Sequence, residues 1–456
     1  MTNHSRLVRG TLPGPSFLML LVFMAILLVA GGAARPDVMG QSVARGAAVL
    51  SLVGIALLAR PPHFGSAKPV LYLLIATILV VLIQLMPLPP SLWQALPGRA
   101  IFARAIEGGQ PWRPLSVVPD LTLNAAASLV VPLAVLLLAV GLRRAERAYL
   151  PALVLILIFT SMLLAVVQFS GWRIDNPLIN DVSGSVSGSF ANRNHFALYL
   201  ALGCLLAPLW PFLHEHRAPW RGPVAFALVL IFLLGILASG SRAGMLVGGL
   251  ALIIGLLLSR HGIQRALRRA PRWAFPAFIA AVVAILVIFV VISVSANRAE
   301  SISRVMKLDA GADVRVHALP SVLAMIRIYF PAGSGFGGFD TIFRVHEPYA
   351  LLKPTYFNHA HNDWLEILLD GGLPAALLLV VALGWWLRAS IRVWRASADS
   401  NMLLGRAGSA ALLLILIASA VDYPARTPMM MAMIVLASLW LGWAEVPKRA
   451  TLPTDN

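Results

Sequence analysis

Between Gly222 and Ser259 the chain runs 38 residues with a single charged side chain, Arg242. A bilayer core is crossed by a helix of roughly 20 mostly apolar residues, so this stretch is long enough to cross twice. Inside a bilayer every backbone polar group must be satisfied within its own segment, which forces the helix. The rest of the chain offers ten further stretches of this kind, more than a soluble core would hold. The candidate spans are 16–34, 42–59, 69–86, 121–141, 149–169, 195–213, 222–239, 243–259, 274–294, 371–387, 405–421 and 427–443. Arg45 weakens the second and length weakens the tenth. Composition agrees, with 59% hydrophobic and 12% charged residues, against about a quarter charged in a soluble domain. The expectation is an all-α integral membrane protein of about 12 transmembrane helices. It forms one polytopic domain over 1–456, with residues 295–370 as a large loop between the ninth and tenth spans. The first span lacks an A-x-A-like cleavage site and reads as a retained helix.

The basic residues orient the bundle. Arg143–Arg147, His214–Arg221, Arg260–Arg272 and Arg388–Arg406 fall in short connections on the amino-terminal side, which the positive-inside rule assigns to the cytoplasm. Much of the net charge of +17 is therefore topological, and it does not call for a nucleic-acid partner. Cys204, the only cysteine, lies in an apolar span, so no internal disulfide can form. None of the spans carries Asp or Glu at its middle. Proton-coupled transport usually needs buried carboxylates there, so the ionisable groups at the outer rim favour surface chemistry.

Three outer segments are long, about 87–120, 170–194 and 295–370. In the last, Val316, Leu319, Leu323, Ile326 and Phe330 recur at three- and four-residue steps, which predicts a helix lying on the membrane or against other helices. "PAGSGFGGFD" lacks the Gly-Lys-Ser/Thr ending of a phosphate loop and reads as a turn for close backbone approach. In "FNHAHNDWLEILLDGGLPAALLLV" (357–380), Asn362 or Asp363 caps a short helix from Trp364 to about Leu369. Gly371-Gly372 break it, and Pro374 suits the first turn of the next helix. His359 and His361 are thereby held at the membrane surface. His361 suits a general base, a structural loop residue, or a metal ligand in the extended trio His359-x-His361-x-Asp363. Arg242 is either a snorkelling side chain or an anion ligand. Asn192 and Asn194 suit helix capping or sugar binding. Trp112, Trp172 and Tyr356 suit interfacial anchoring or stacking on sugar rings, and Glu366 reads as structural.

Several segments together resemble the O-antigen ligase and polymerase superfamily of bacterial membrane glycan transferases. "GSFANRNHFALYLAL" (188–202) is similar to its glycine-aromatic-Asn-x-Asn segment, and "SGSRAGMLVGG" (239–249) to its Ser-Arg-small motif. "DVRVHALPSVLAMIRIYFPAGSGFGGF" (313–339) resembles its arginine helix and glycine-rich loop. "HNDWLEILLDGGLPA" (361–375) resembles the ligase pattern of His-Asn, nine residues, Gly, two residues, then Gly, Thr or Tyr. The last position is Ala375, a departure from the ligase form. "VDYPARTP" (421–428) resembles the turn between the final spans.

The resemblance, which runs from about residue 110 onward, implies a GT-C type helical fold and a multi-pass location in the bacterial inner membrane. It implies a metal-independent, cofactor-free, inverting glycosyltransferase of lipopolysaccharide or exopolysaccharide biosynthesis, acting at the periplasmic face. The donor would be an undecaprenyl-pyrophosphate-linked glycan. The acceptor would be lipid A–core for a ligase, or another lipid-linked glycan for a polymerase. Carried over by residue, Arg242 and Arg315 would bind the donor pyrophosphate and His361 would be the catalytic base. His359, Asn362, Arg193, Asn194, His195 and Arg426 would support them, although Arg193, His195 and Arg426 also read as helix-end residues, and Arg315 as a surface partner of Asp313. Fixed guanidinium groups stabilise a departing diphosphate without an added cation. Outside this class, a lipid-linked-sugar transporter and a structural scaffold stay open, as does transfer to protein hydroxyls.

Overall fold

Proline and small polar residues set where the apolar stretches start to coil. In the computed structural model, Pro15, Pro69, Pro119, Pro151 and Pro428 stand in the first turns of five helices, where a missing N–H costs nothing. The structure describes residues 13–58, 62–105, 108–170, 176–179, 185–213, 218–267, 273, 314–352, 357–396 and 400–444.

In chain order the elements are α1 (Pro15–Ala30), α2 (Met39–Leu58), α3 (Lys68–Ile83), β1 (Pro87–Leu88), α4 (Pro90–Ala95), α5 (Ala100–Arg104), β2 (Arg113–Pro114), α6 (Pro119–Ser128) and α7 (Val130–Val140). There follow α8 (Arg144–Arg147), α9 (Leu150–Phe169), α10 (Arg193–Leu206), α11 (Arg221–Ser239) and α12 (Arg242–Leu267). The last are α13 (Val314–Tyr329), α14 (Phe339–His346), α15 (Asp363–Arg395), α16 (Ser400–Ser419) and α17 (Pro428–Trp443). β1 and β2 form a two-residue antiparallel ribbon.

Among the described residues nine helices are long and apolar enough to cross a membrane, and α1 and α17 are shorter apolar helices. Eleven of the expected stretches fall on these helices. The twelfth, 274–294, lies outside the described residues. The chain is thus a multi-pass, all-helical membrane protein. α10 is the central helix, with every side chain from His195 to Leu206 buried. It packs on α9, α11, α12 and α16, while α17 packs on α16 and α7. A helix buried on all sides needs no polar face, which is why its polar residues crowd at its first turn.

A second, smaller core lies at one end of the bundle, where Val118, Ala318, Val322, Met325, Tyr329, Phe339, Ile342, Phe343 and Leu369 pack together. The helix expected from the apolar stripe is α13, and its packing decides which side faces inward. The buried face is Ala318, Val322, Met325 and Tyr329, whereas Leu319, Leu323 and Phe330 are exposed. α13 packs against α15 and α14.

The glycine-rich turn after α13 is held by the kink in α15. Gly372 interrupts that helix at φ 56°, ψ −145°. A Cβ at Gly372 would sit 2.2 Å from the Pro331 carbonyl oxygen, so glycine serves both the left-handed backbone and the close approach. Across this seam Ser334 N donates to Leu369 O at 2.9 Å, Gly335 N to Asp370 O at 2.9 Å and Leu373 N to Pro331 O at 2.9 Å. Arg99, fully buried, ties the same seam to the β1–β2 region by donating to Leu115 O and Gly333 O. The kink separates the expected short helix from the expected tenth span, which continues past its expected end to Arg395.

Candidate functional site

The starts of α10, α12 and α15 and the turn between α16 and α17 meet at one end of the bundle. Asn192 caps α10, accepting from Asn194 N at 2.8 Å. Asn362 caps α15, accepting from Leu365 N at 3.1 Å, and its amide donates to Ala420 O at 2.9 Å. These caps satisfy the open N–H groups of the helix starts and fix the residues beside them.

His361 lies at φ +50°, a left-handed conformation that only glycine adopts freely. Its Nδ1 donates to Asp422 Oδ1 at 3.1 Å. Asp422 is nearly enclosed and also accepts from the side-chain amides of Asn194 at 2.6 Å and Asn192 at 3.2 Å. His195 Nε2 stands 3.8 Å from the same carboxylate, an ion-pair separation and too long for a hydrogen bond. Burial opposes the charge on Asp422, but the neighbouring His195 and His361 imidazoles override it and hold the carboxyl well below its ordinary value. An ionised Asp422 keeps the His361 proton on Nδ1, which leaves Nε2 as the basic nitrogen.

Tyr423 organises the three imidazoles. Ring centroids of His195, His359 and His361 lie 4.9, 4.2 and 4.9 Å from its own. Burial pushes the Tyr423 phenol up to about 12, so it stays a neutral hydroxyl, accepting from Asn358 at 3.3 Å. His359 faces away from Asp422, and its Nδ1 pairs with Glu366 Oε1 at 2.8 Å. His359, His361 and Asp363 are thus tied to three different partners. Among the described residues no group of three or more His, Cys, Asp or Glu is disposed to hold a metal ion.

Behind this layer lies a buried ionic cluster. Arg426 Nε donates to Asp363 Oδ1 at 3.1 Å, and Nη1 stands 3.1 Å from Glu366 Oε1 and 3.7 Å from Asp370 Oδ2. Burial opposes the charge on Arg426, yet the Glu366, Asp363 and Asp370 carboxylates hold its guanidinium above the ordinary value. Glu366 also accepts from Ala360 N at 2.8 Å, so one carboxylate braces both His359 and the backbone before His361. Asp370 Oδ1 has no hydrogen-bond partner among the described residues.

The remaining sequence-derived residues are placed as follows. Arg242 is exposed at the first position of α12. The next two residues, Ala243 and Gly244, line a narrow crevice with Asn194, His195, Asp422 and Pro424. Arg193 is half-buried at the start of α10. Arg315 falls in the first turn of α13, with its side chain outside the described structure. Trp112 is exposed. Trp172, Asp313 and Tyr356 lie outside the described residues. The structure therefore brings His361, His359, Asn362, Asn194, His195 and Arg426 into one cluster with Arg242 at its edge.

Sequence reasoning missed Asp422 as the hub and Asp363 and Asp370 as anchors. A signal was present, because Asp422 and Arg426 are the only charges between Ala407 and Ala444. The argument that singles out Arg242 applies equally to them.

Residues 227–380 match the O-antigen ligase family model, about a third of the chain. The match takes in Arg242, Arg315, His359, His361 and Glu366 and ends before Asp422 and Arg426. No curated protein matches the chain. The resemblance to the O-antigen ligase superfamily holds over this segment, and it carries with it a glycan-transfer role in polysaccharide biosynthesis.

Proposed function

From the O-antigen ligase likeness of residues 227–380, we propose that this protein transfers a glycan from undecaprenyl pyrophosphate to an acceptor hydroxyl. The reaction is placed at the periplasmic face of the bacterial inner membrane, on a 12-span scaffold of GT-C type. The observation that carries this reading is the 3.1 Å contact of His361 with the enclosed Asp422 carboxylate, which itself lines the crevice beside Arg242.

In this reading His361 Nε2 takes the acceptor hydroxyl proton as that oxygen attacks the anomeric carbon. The bond from that carbon to the diphosphate oxygen breaks, and its electron pair leaves with undecaprenyl diphosphate. Arg242 and Arg315 stabilise the growing negative charge with fixed guanidinium donors, so no added cation is required. Attack opposite the leaving group inverts the anomeric centre. Asp422 is a positioning residue that orients the imidazole and favours the imidazolium formed on proton transfer. His195, Asn194 and Asn192 hold Asp422 in turn.

Ala375, which departs from the ligase pattern, favours keeping polymerisation of lipid-linked repeats as the second reading. Reconstitution with an undecaprenyl-pyrophosphate glycan and either lipid A–core or a second lipid-linked repeat separates the two. Product on lipid A–core identifies a ligase, longer lipid-linked chains identify a polymerase, and no product with either acceptor defeats the proposal.

A further inference from the structure

A cavity of about 380 Å³ opens beside the ionic cluster. Its walls come from α3, α7, α15, α16 and α17, with Leu74, Leu383, Trp386, Leu416 and Ile434 among them. An apolar cavity of about 150 Å³ in a soluble protein admits benzene, so this one has room for a stretch of hydrocarbon. Along α16 the wall runs from Leu412 to Ser419, about 10 Å at the helical rise. Of the elements around it, α3, the α6–α7 pair, α15 and α16 are long and apolar enough to cross a membrane, and α17 is a shorter apolar helix. A molecule entering it from a bilayer would be a lipid chain.

The polar end is specific. Asp363, Ser419 and Ala425 close it, and Asp363 accepts from Ser419 Oγ at 2.9 Å and from Arg426 Nε at 3.1 Å. Asp363 N also donates to Asp422 O at 3.3 Å. A chain seated in the cavity would therefore bring its headgroup up beside the His361–Asp422 pair. No wall residue belongs to α10, α11 or α12, where Asn194, His195 and Arg242 stand. In-line displacement needs the attacking oxygen and the departing diphosphate on opposite faces of the anomeric carbon. With Arg242 on the diphosphate side, the cavity lies on the attacking side.

We infer that this cavity seats the hydrocarbon chain of the acceptor. The inference rests on the glycan-transfer reading for the direction of attack, but the seat itself can be tested separately. The full-length protein is reconstituted as wild type and as Ala382→Trp and Ser438→Leu, which fill the cavity from two different walls. Each variant is first checked for a single monodisperse species. Acceptors are offered with and without their chains, as intact and de-acylated lipid A–core and as a lipid-linked and a free repeat. A phospholipid with a diazirine on its acyl chain provides an independent cross-link.

The wild type is expected to use the chain-bearing acceptor at least tenfold better than the stripped one. The filled variants lose that preference while their transfer to the stripped acceptor stays within twofold of wild type. The diazirine labels α15, α16 and α17 in the wild type, and Ala382→Trp abolishes the label. Retention of the chain preference in both variants, or no label on these helices in the wild type, overturns the inference. If the wild type transfers to no acceptor, the enzymatic reading fails while the cross-link still decides the seat.

Discussion

Nδ1 of His361 stands 3.1 Å from Oδ1 of Asp422, a residue 61 positions later in the chain. The pair joins the capped start of α15 to the turn between α16 and α17, so the imidazole is oriented from a distant part of the chain. His361→Ala is expected to lower kcat by about 10²–10⁴-fold, the usual range for a general base. Asp422→Asn keeps the size but loses the anion. It should lower kcat/KM and move the acid limb of its pH profile downward, because a lost carboxylate no longer favours the imidazolium. A loss of stability alone, with an unmoved pH profile, would defeat the positioning role.

Asp422 also makes a prediction about acid stability. Its carboxyl is held below the ordinary value, so its contribution is full above the unfolded carboxyl pKa of about 3.9 and fades as pH falls below that. The stability difference between wild type and Asp422→Asn should shrink as pH falls below about 4. Chemical unfolding in detergent across that range measures it.

Removing Arg426 leaves three enclosed carboxylates without their cation. Arg426→Met is expected to destabilise the protein by about 3–5 kcal/mol, as for other broken buried pairs. Arg426→Lys should recover only part of this, since one ammonium cannot replace the planar contacts to Asp363 and Glu366. Thermal midpoints of the purified variants provide the comparison. Equal midpoints for wild type and Arg426→Met would contradict the cluster's structural role.

Gly372 and Gly384 lie in the same helix and should differ sharply. An alanine at 372 meets both a left-handed backbone and the Pro331 carbonyl, whereas a Cβ at 384 meets nothing within 4 Å. The backbone conformation alone carries about 1–3 kcal/mol, to which the clash adds. Gly372→Ala should lower the thermal midpoint and weaken transfer, because the seam to the glycine-rich turn opens. Gly384→Ala should behave as wild type.

Arg242 tests the donor side. Arg242→Ala should reduce kcat by about 10²–10³-fold, the range for losing one preorganised donor to a developing anion. Folding should be unaffected, because the side chain is exposed at the helix start. Arg242→Lys should retain an intermediate rate, since a point charge replaces a bidentate fork. Wild-type turnover by Arg242→Ala would remove it from the site.

Much of the scaffold is legible in local sequence. Eleven apolar stretches could be placed because a bilayer imposes the helix on each one separately. The Asn362 cap and the break at Gly371-Gly372 followed from residue types a few positions apart. Which residues of α13 turn inward was not legible, because Ala318 and Val322 are buried in place of Leu319 and Leu323 only by the packing of that helix on distant elements. Glu366 was recognised as structural, but not what it holds.

What the sequence alone determined is the set of membrane helices, their caps, and the gathering of histidines and arginines at one rim. Only the tertiary structure decided which of those charges meet. Asn194 finds Asp422 across 228 positions, and Arg426 finds Asp363 across 63. The reason is physical: hydropathy and capping act over one or two helical turns, whereas a buried charge is paired by whatever opposite group the packing of distant helices delivers.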